Sequence, residues 1–206
     1  MSRRTLLPLS ALIVFVFAAA CQNASAEADN ARSTDESPSS QATTAVEARN
    51  PAFDVSVVNL ATDELDLGDT SILRDLLSQS GASVVSLSLS LSDLEYADEN
   101  LRELNRLAKM LGKDVPVVAV LGQLLDPTQP GLAVGGSPGD AWLISYRNDT
   151  PYLRVVFSDR LSEIVEQLGA ISFPTTFVVD ENGNVLARWT GVMDADKYFE
   201  SVQSNL

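Results

Sequence analysis

Thiol and imidazole chemistry have almost no foothold in this chain, which carries a single cysteine, Cys21, and no histidine. A dithiol redox centre needs two cysteines within reach of each other, and a soft or borderline metal centre needs several thiolate or imidazole ligands. Neither can be assembled, so a metal would have to be held by oxygen atoms alone. Asp180, Glu181 and Asn182 could suggest such a cation site, but they precede Gly183 in a run that turn chemistry already explains. No metal and no cofactor is expected. What remains is recognition by aromatic side chains and backbone, at Tyr96 and at Phe173-Pro174-Thr175-Thr176. A proline at the start of a strand cannot donate to the ladder and is the residue that accommodates a cis peptide in a tight turn.

These residues need elements to hold them. Phe177 to Val179 is an apolar run joined to a second, Val185 to Trp189, by a linker containing Asn182-Gly183, the strongest short-range hairpin signal. Upstream, Phe53, Val55 and Val57 alternate with polar residues and predict a first strand. Asp69-Thr70-Ser71 ahead of Ile72, Leu73, Leu76 and Leu77 predicts a capped short helix. Ser83 to Ser92 has strict period two, with Val85, Leu87, Leu89 and Leu91 on one face and serines on the other. Either those serines lie under a closely packed helix or that face is partly open. Ala97, Leu101, Leu104, Ala108 and Leu111 predict an amphipathic helix over 94–111, closed by Gly112. Val115 to Leu121 reads as a buried strand, and Gly122 to Gly139, with Pro127, Pro130 and Pro138, as a long loop. A helix from Pro138 to about Arg147, a strand from Tyr152 to Phe157, a helix from Asp159 to Leu168 and a terminal helix capped by Asp194 complete the pattern. Alternating strands and helices imply an α/β domain over 51–206, its largely parallel sheet made mixed by the hairpin.

Ahead of that domain, Arg3 and Arg4 precede an apolar stretch, Leu6 to Ala20, that ends in small residues before Cys21. A basic start, a short apolar body and small residues at its end describe a secretory signal over 1–20, too short for a comfortable membrane span. The position of Cys21 resembles a bacterial lipobox, which implies that it becomes the lipid-modified first residue of the mature chain. Gln22 after it resembles the sorting pattern for the outer membrane, and the arginine pair leaves general and twin-arginine export both open. From Gln22 to about Asn50 there is no Leu, Ile or aromatic residue, too little apolar surface to repay ordering. Residues 21–50 are therefore expected to be a tether spanning roughly 30 Å as a flexible coil. The net charge of −14 becomes two units more negative without Arg3 and Arg4. Such a surface repels nucleic acid and anionic headgroups, so nucleic acid is not an expected partner.

Ile171-Ser-Phe-Pro-Thr-Thr-Phe-Val-Val-Asp-Glu-Asn-Gly183 resembles the Pro-Thr-Thr-Phe-x-x-Asp-x-x-Gly segment of the thioredoxin-like fold family, particularly its TlpA-like and redoxin branch. The resemblance implies a three-layer α/β fold, a cis peptide at Pro174, and a backbone there that pairs with substrate chains. It also implies a Cys-x-x-Cys-Arg-x-Glu-x-Pro-x-Leu segment leading into the first long helix. Placed by the helix body, Glu103 to Lys109, its cysteines fall on Leu94 and Ala97, with Glu95 and Tyr96 between them. Both thiols are missing, and with them the attacking and resolving groups of disulfide exchange. In their place Ser92 or Asp93 suits a helix N-cap, and Glu95 sits where a first turn favours negative charge. Tyr96 either packs on the hairpin or joins Phe173, Pro174 and Thr175 in a groove for an extended peptide. The expected role is a non-catalytic, lipid-anchored binding module facing the periplasm with a protein or peptide partner. The alternatives are an accessory to a cysteine-bearing oxidoreductase and a structural spacer.

Overall fold

The structure, a computed structural model of the chain, describes residues 49–60, 67–79, 81–91, 95–125, 128 and 132–206. The expected signal over 1–20, Cys21, nearly all of the tether, the caps at Ser92 and Asp93, and Leu94 lie outside the described residues.

Among the described residues nine strands and four helices follow in the order β1 (Ser56–Leu60), β2 (Leu67–Ile72), β3 (Ser83–Leu89), α1 (Glu95–Leu111), β4 (Val117–Gly122), β5 (Leu124–Leu125), β6 (Ala133–Val134), α2 (Pro138–Asn148), β7 (Arg154–Ser158), α3 (Leu161–Leu168), β8 (Thr175–Val179), β9 (Val185–Thr190) and α4 (Ala195–Gln203). Seven strands form one sheet in the order β2-β1-β7-β4-β3-β8-β9. The β3–β4 and β4–β7 pairs are parallel and the other four antiparallel. Its two faces carry separate cores. Leu101, Leu104 and Leu107 of α1, Ile144 of α2 and Tyr198 and Val202 of α4 cover Val84, Ala119, Leu121 and Val178. On the other face Leu161, Ile164 and Leu168 of α3, with Phe53, Leu73 and Leu76, cover Val85, Leu87, Val120 and Phe177. This is the three-layer arrangement expected from the alternation of elements.

Three expectations need correction. Phe53 is not in a strand but in a 3-10 turn, Pro51–Phe53, and β1 begins only at Ser56. Asp69-Thr70-Ser71 does not cap a helix: Thr70 and Ser71 pair with Val58 and Val57, and only a 3-10 turn, Leu73–Leu76, follows. Its preceding residue, Ile72, makes no side-chain cap, so pairing with β1 outweighs the local capping signal. The long loop after Gly122 contains a small ribbon in which Leu124 and Leu125 pair with Val134 and Ala133.

The serine face of β3 lies under a helix. Ser86 and Ser88 are buried, and the amide of the buried Asn100 on α1 donates to their hydroxyls at 3.1 and 3.3 Å. Thr176 of β8 donates to Ser86 at 3.0 Å and lies 3.2 Å from the Tyr198 hydroxyl. Burial pushes the Tyr198 phenol up, more than its hydrogen bond to Thr176 pulls it down. A folded-state value above the ordinary one of about 10 means that this contribution is present below pH 10 and lost as pH rises further. Urea unfolding followed against pH should show stability falling more steeply above about pH 10 in the native chain than in Tyr198→Phe; identical slopes would refute this.

The hairpin tip is fastened to the start of the domain. The Asn50 N–H donates to Asn182 O at 3.0 Å and its side-chain amide to Gly183 O at 3.1 Å. Arg74 adds bonds to Asn50 O and Asn182 O and an ion pair to Asp54, whose carboxyl it holds below the usual range. Gly183 is in the left-handed region at φ 83°, and a Cβ there would come within 2.7 Å of the Phe53 ring.

Candidate functional site

Leu87 of β3 stands opposite Thr175 of β8. The chain leaving β3 for α1 and the chain reaching β8 through Phe173-Pro174 therefore meet at one end of the sheet. This places Glu95, Tyr96 and Ala97 at the same end as Phe173, Pro174 and Thr175.

The Phe173–Pro174 peptide is cis. Pro174 is buried and its carbonyl accepts from the Gly191 N–H at 2.8 Å, tying the turn to the end of β9. The Thr175 hydroxyl donates to Ser172 O at 2.5 Å, so this side chain closes the turn from inside. Thr176 points into the buried network described above. Phe173 is half-buried against the α3-side core. Among the described residues its N–H and C=O form no hydrogen bond. Beside it Ile171 is 88% exposed, the most exposed large apolar side chain among the described residues. A backbone donor and acceptor next to an exposed aliphatic group are what an extended peptide needs to pair with and pack on.

At the start of α1, Glu95 is exposed, Tyr96 is half-buried and engaged with its surroundings, and Ala97 is 1% exposed. Asp98, next in line, takes two hydrogen bonds from Arg147 at 2.7 and 2.6 Å and one from Asn148, which lock α1 to α2. With the absent motif placed at 94–97, the motif's glutamate falls on Asn100. Its Oδ1 is buried and has no hydrogen-bond partner among the described residues. The role of Asn100 was missed from sequence, although an Asn on the buried side of a helix facing a serine stripe is a readable signal. Glu103, used above only to align the helix, accepts from Ala195 N at 2.9 Å and so helps cap α4, while also pairing with Arg106.

The Asp180 cluster behaves as a turn. Burial raises the Asp180 carboxyl, but bonds from the Asn184 side chain and from the backbone of Asn184 and Asn182 outweigh it and hold the group below its usual range. Among the described residues no group of three or more His, Cys, Asp or Glu is placed to hold a metal ion, and no helix is long and apolar enough to cross a membrane.

This architecture, a mixed sheet with α1 leaving β3 toward a cis-proline turn before an edge hairpin, is the thioredoxin-like fold. No family model and no curated protein matches the chain, but solved structures share its fold. The pneumococcal exposed lipoprotein thioredoxin of Streptococcus pneumoniae is 20% identical, covering 73% of this chain and 99% of its own, at a TM-score of 0.54. A secreted Mycobacterium tuberculosis disulfide oxidoreductase is 11% identical over 75% of this chain and 98% of its own, at 0.55. The bacterioferritin comigratory protein of Xanthomonas campestris, described for its alkyl peroxide reduction activity, is 14% identical over 78% of this chain and 97% of its own, also at 0.55. At these identities the likeness defines the fold.

Proposed function

We propose that the protein is a lipid-anchored module of the bacterial cell envelope that binds a protein or peptide partner without catalysing redox chemistry. The observation that carries this reading is the unbonded Phe173 backbone beside the exposed Ile171, next to a helix start that bears no thiol among residues 95–97. The anchor is Cys21, the tether residues 22–50, and the expected placement the periplasmic side of the outer membrane. In support, structural neighbours include one protein named an exposed lipoprotein and one named as secreted. An extended segment would add its backbone to Phe173 and its apolar side chains to Ile171 and Tyr96. Immobilised residues 22–206 should capture a defined partner from envelope extract, and Ile171→Asp, which projects into solvent and leaves the core intact, should abolish that capture. Capture unchanged by Ile171→Asp, Tyr96→Ala and Phe173→Ala would refute the site and leave the spacer reading. The accessory reading is favoured by the oxidoreductases among the structural neighbours, and it predicts that the captured partner itself carries a redox-active cysteine pair.

A further inference from the structure

At the end of the sheet away from the cis-proline turn lies a second concave surface. One cavity of about 250 Å³ is lined by Lys113, Arg154, Ala108, Pro116, Tyr152 and neighbours, including Leu76. An adjoining one, of about 360 Å³, shares Ala108, Gly112, Lys113 and Tyr152 and adds Lys109 and Pro151. Lys109 lies 5.5 Å from the centroid of the Tyr152 ring, a cation stacked over an aromatic face. No Asp or Glu lines either cavity, although Asp114 follows Lys113 in the chain. Lys109, Lys113 and Arg154 are exposed and none is in an ion pair among the described residues, as is also true of Arg102, Arg188 and Lys197 but not of Arg74, Arg106, Arg147 and Arg160. In a chain with twice as many acidic as basic residues, two of the three lysines gather at one unneutralised hollow.

Its position gives the occupant. Ser83 at the start of β3 pairs with Val179 at the hairpin end of β8, and Val118 near the start of β4 pairs with Arg154. The hollow and the hairpin tip therefore share one end of the sheet. The 3-10 turn Leu73–Leu76 links them directly, since Arg74 holds Asn50 and Asn182 while Leu76 lines the cavity. Asn50 is where the expected tether would join the domain, so with a lipid anchor at Cys21 this end would carry the attachment to the bilayer.

We propose that Lys109, Lys113 and Arg154, with Tyr152, form a seat for the phosphate of an anionic phospholipid headgroup that sets the domain's orientation on the membrane. The proposal relies on the lipid-anchor reading for its geometry. The overall negative charge does not forbid it, because at physiological ionic strength charges more than about 8 Å away are largely screened. Each cation near an anionic surface contributes about a fivefold gain in partition. A tyrosine that is half ring and half hydroxyl suits the interface.

The test uses lipid-free residues 22–206 and co-sedimentation at physiological ionic strength with phosphatidylglycerol or phosphatidylcholine vesicles. Binding is expected only to phosphatidylglycerol. Lys109→Gln with Lys113→Gln should weaken it about 25-fold, while the same charge change elsewhere, Arg102→Gln with Lys197→Gln, should leave it unchanged. Equal loss in both pairs, no binding, or binding of inorganic phosphate with none to vesicles would overturn the proposal. Fatty-acid labelling of the full chain and of Cys21→Ser reports on the anchor separately, so failure of either reading is visible without the other.

Discussion

Cysteines introduced together at positions 94 and 97 should give this chain insulin-reducing activity. Ala97 is 1% exposed in the first turn of α1, the protected place of a resolving thiol, and position 94 precedes the first helical residue, Glu95. The positive end of the dipole of a helix of 17 residues favours a thiolate. Lowering a thiol from about 8.5 to about 7 raises its ionised fraction at pH 7 more than tenfold. The expected outcome is turnover by Leu94→Cys/Ala97→Cys at least about tenfold above that of either single cysteine variant, with a thiolate absorbance titrating below 8. A folded double variant whose thiols titrate near 8.5 and reduce nothing would mean that the helix start is not poised for this chemistry. Turnover by the native chain would overturn the non-catalytic reading itself.

A large stability loss is expected at Gly122, the last residue of β4. A Cβ there would come within 2.4 Å of Ser158 O and 2.9 Å of the Leu161 Cβ, where β4, β7 and the start of α3 converge. Neither contact is the movable end of a side chain, so the β4–β7 pair must separate. Gly122→Ala should cost about 3 kcal/mol, a large part of the stability typical of such a domain. Gly139→Ala is the contrast: its Cβ would meet only Ser137 Oγ at 3.6 Å, and the helix gains from losing a glycine. Urea midpoints should move in opposite directions, and a Gly122→Ala midpoint within error of the native one would refute the packing described.

Where one local signal governs an element, its sequence displays it. The Asn182-Gly183 hairpin, the period-two run of β3 and the helix start at Pro138 all appear in the structure where their residues point. Elements decided by distant partners were misread. Thr70 looks like the start of a helix until Val58 pairs with it, and Phe53 looks like a strand residue until it packs under the hairpin tip. The site divides the same way. Pro174 and its turn are written in consecutive residues, whereas the Asn100 network draws on β3, α1, β8 and α4, and the Lys109–Lys113–Arg154 hollow on α1, its following turn and β7. The exposed Ile171 was visible as a lone aliphatic residue ahead of Ser172, but its exposure depends on where α3 ends.

The bonds that join Asn50 to the hairpin tip also decide how the domain carries force. Were residues 21–50 the expected tether, tension along them would reach the fold at Asn50 and pass through Asn182, Gly183 and Arg74 into β8 and the Leu73–Leu76 turn. The Phe173–Pro174 turn is at the opposite end of β8, so a partner bound there as proposed would place the load across the length of that strand.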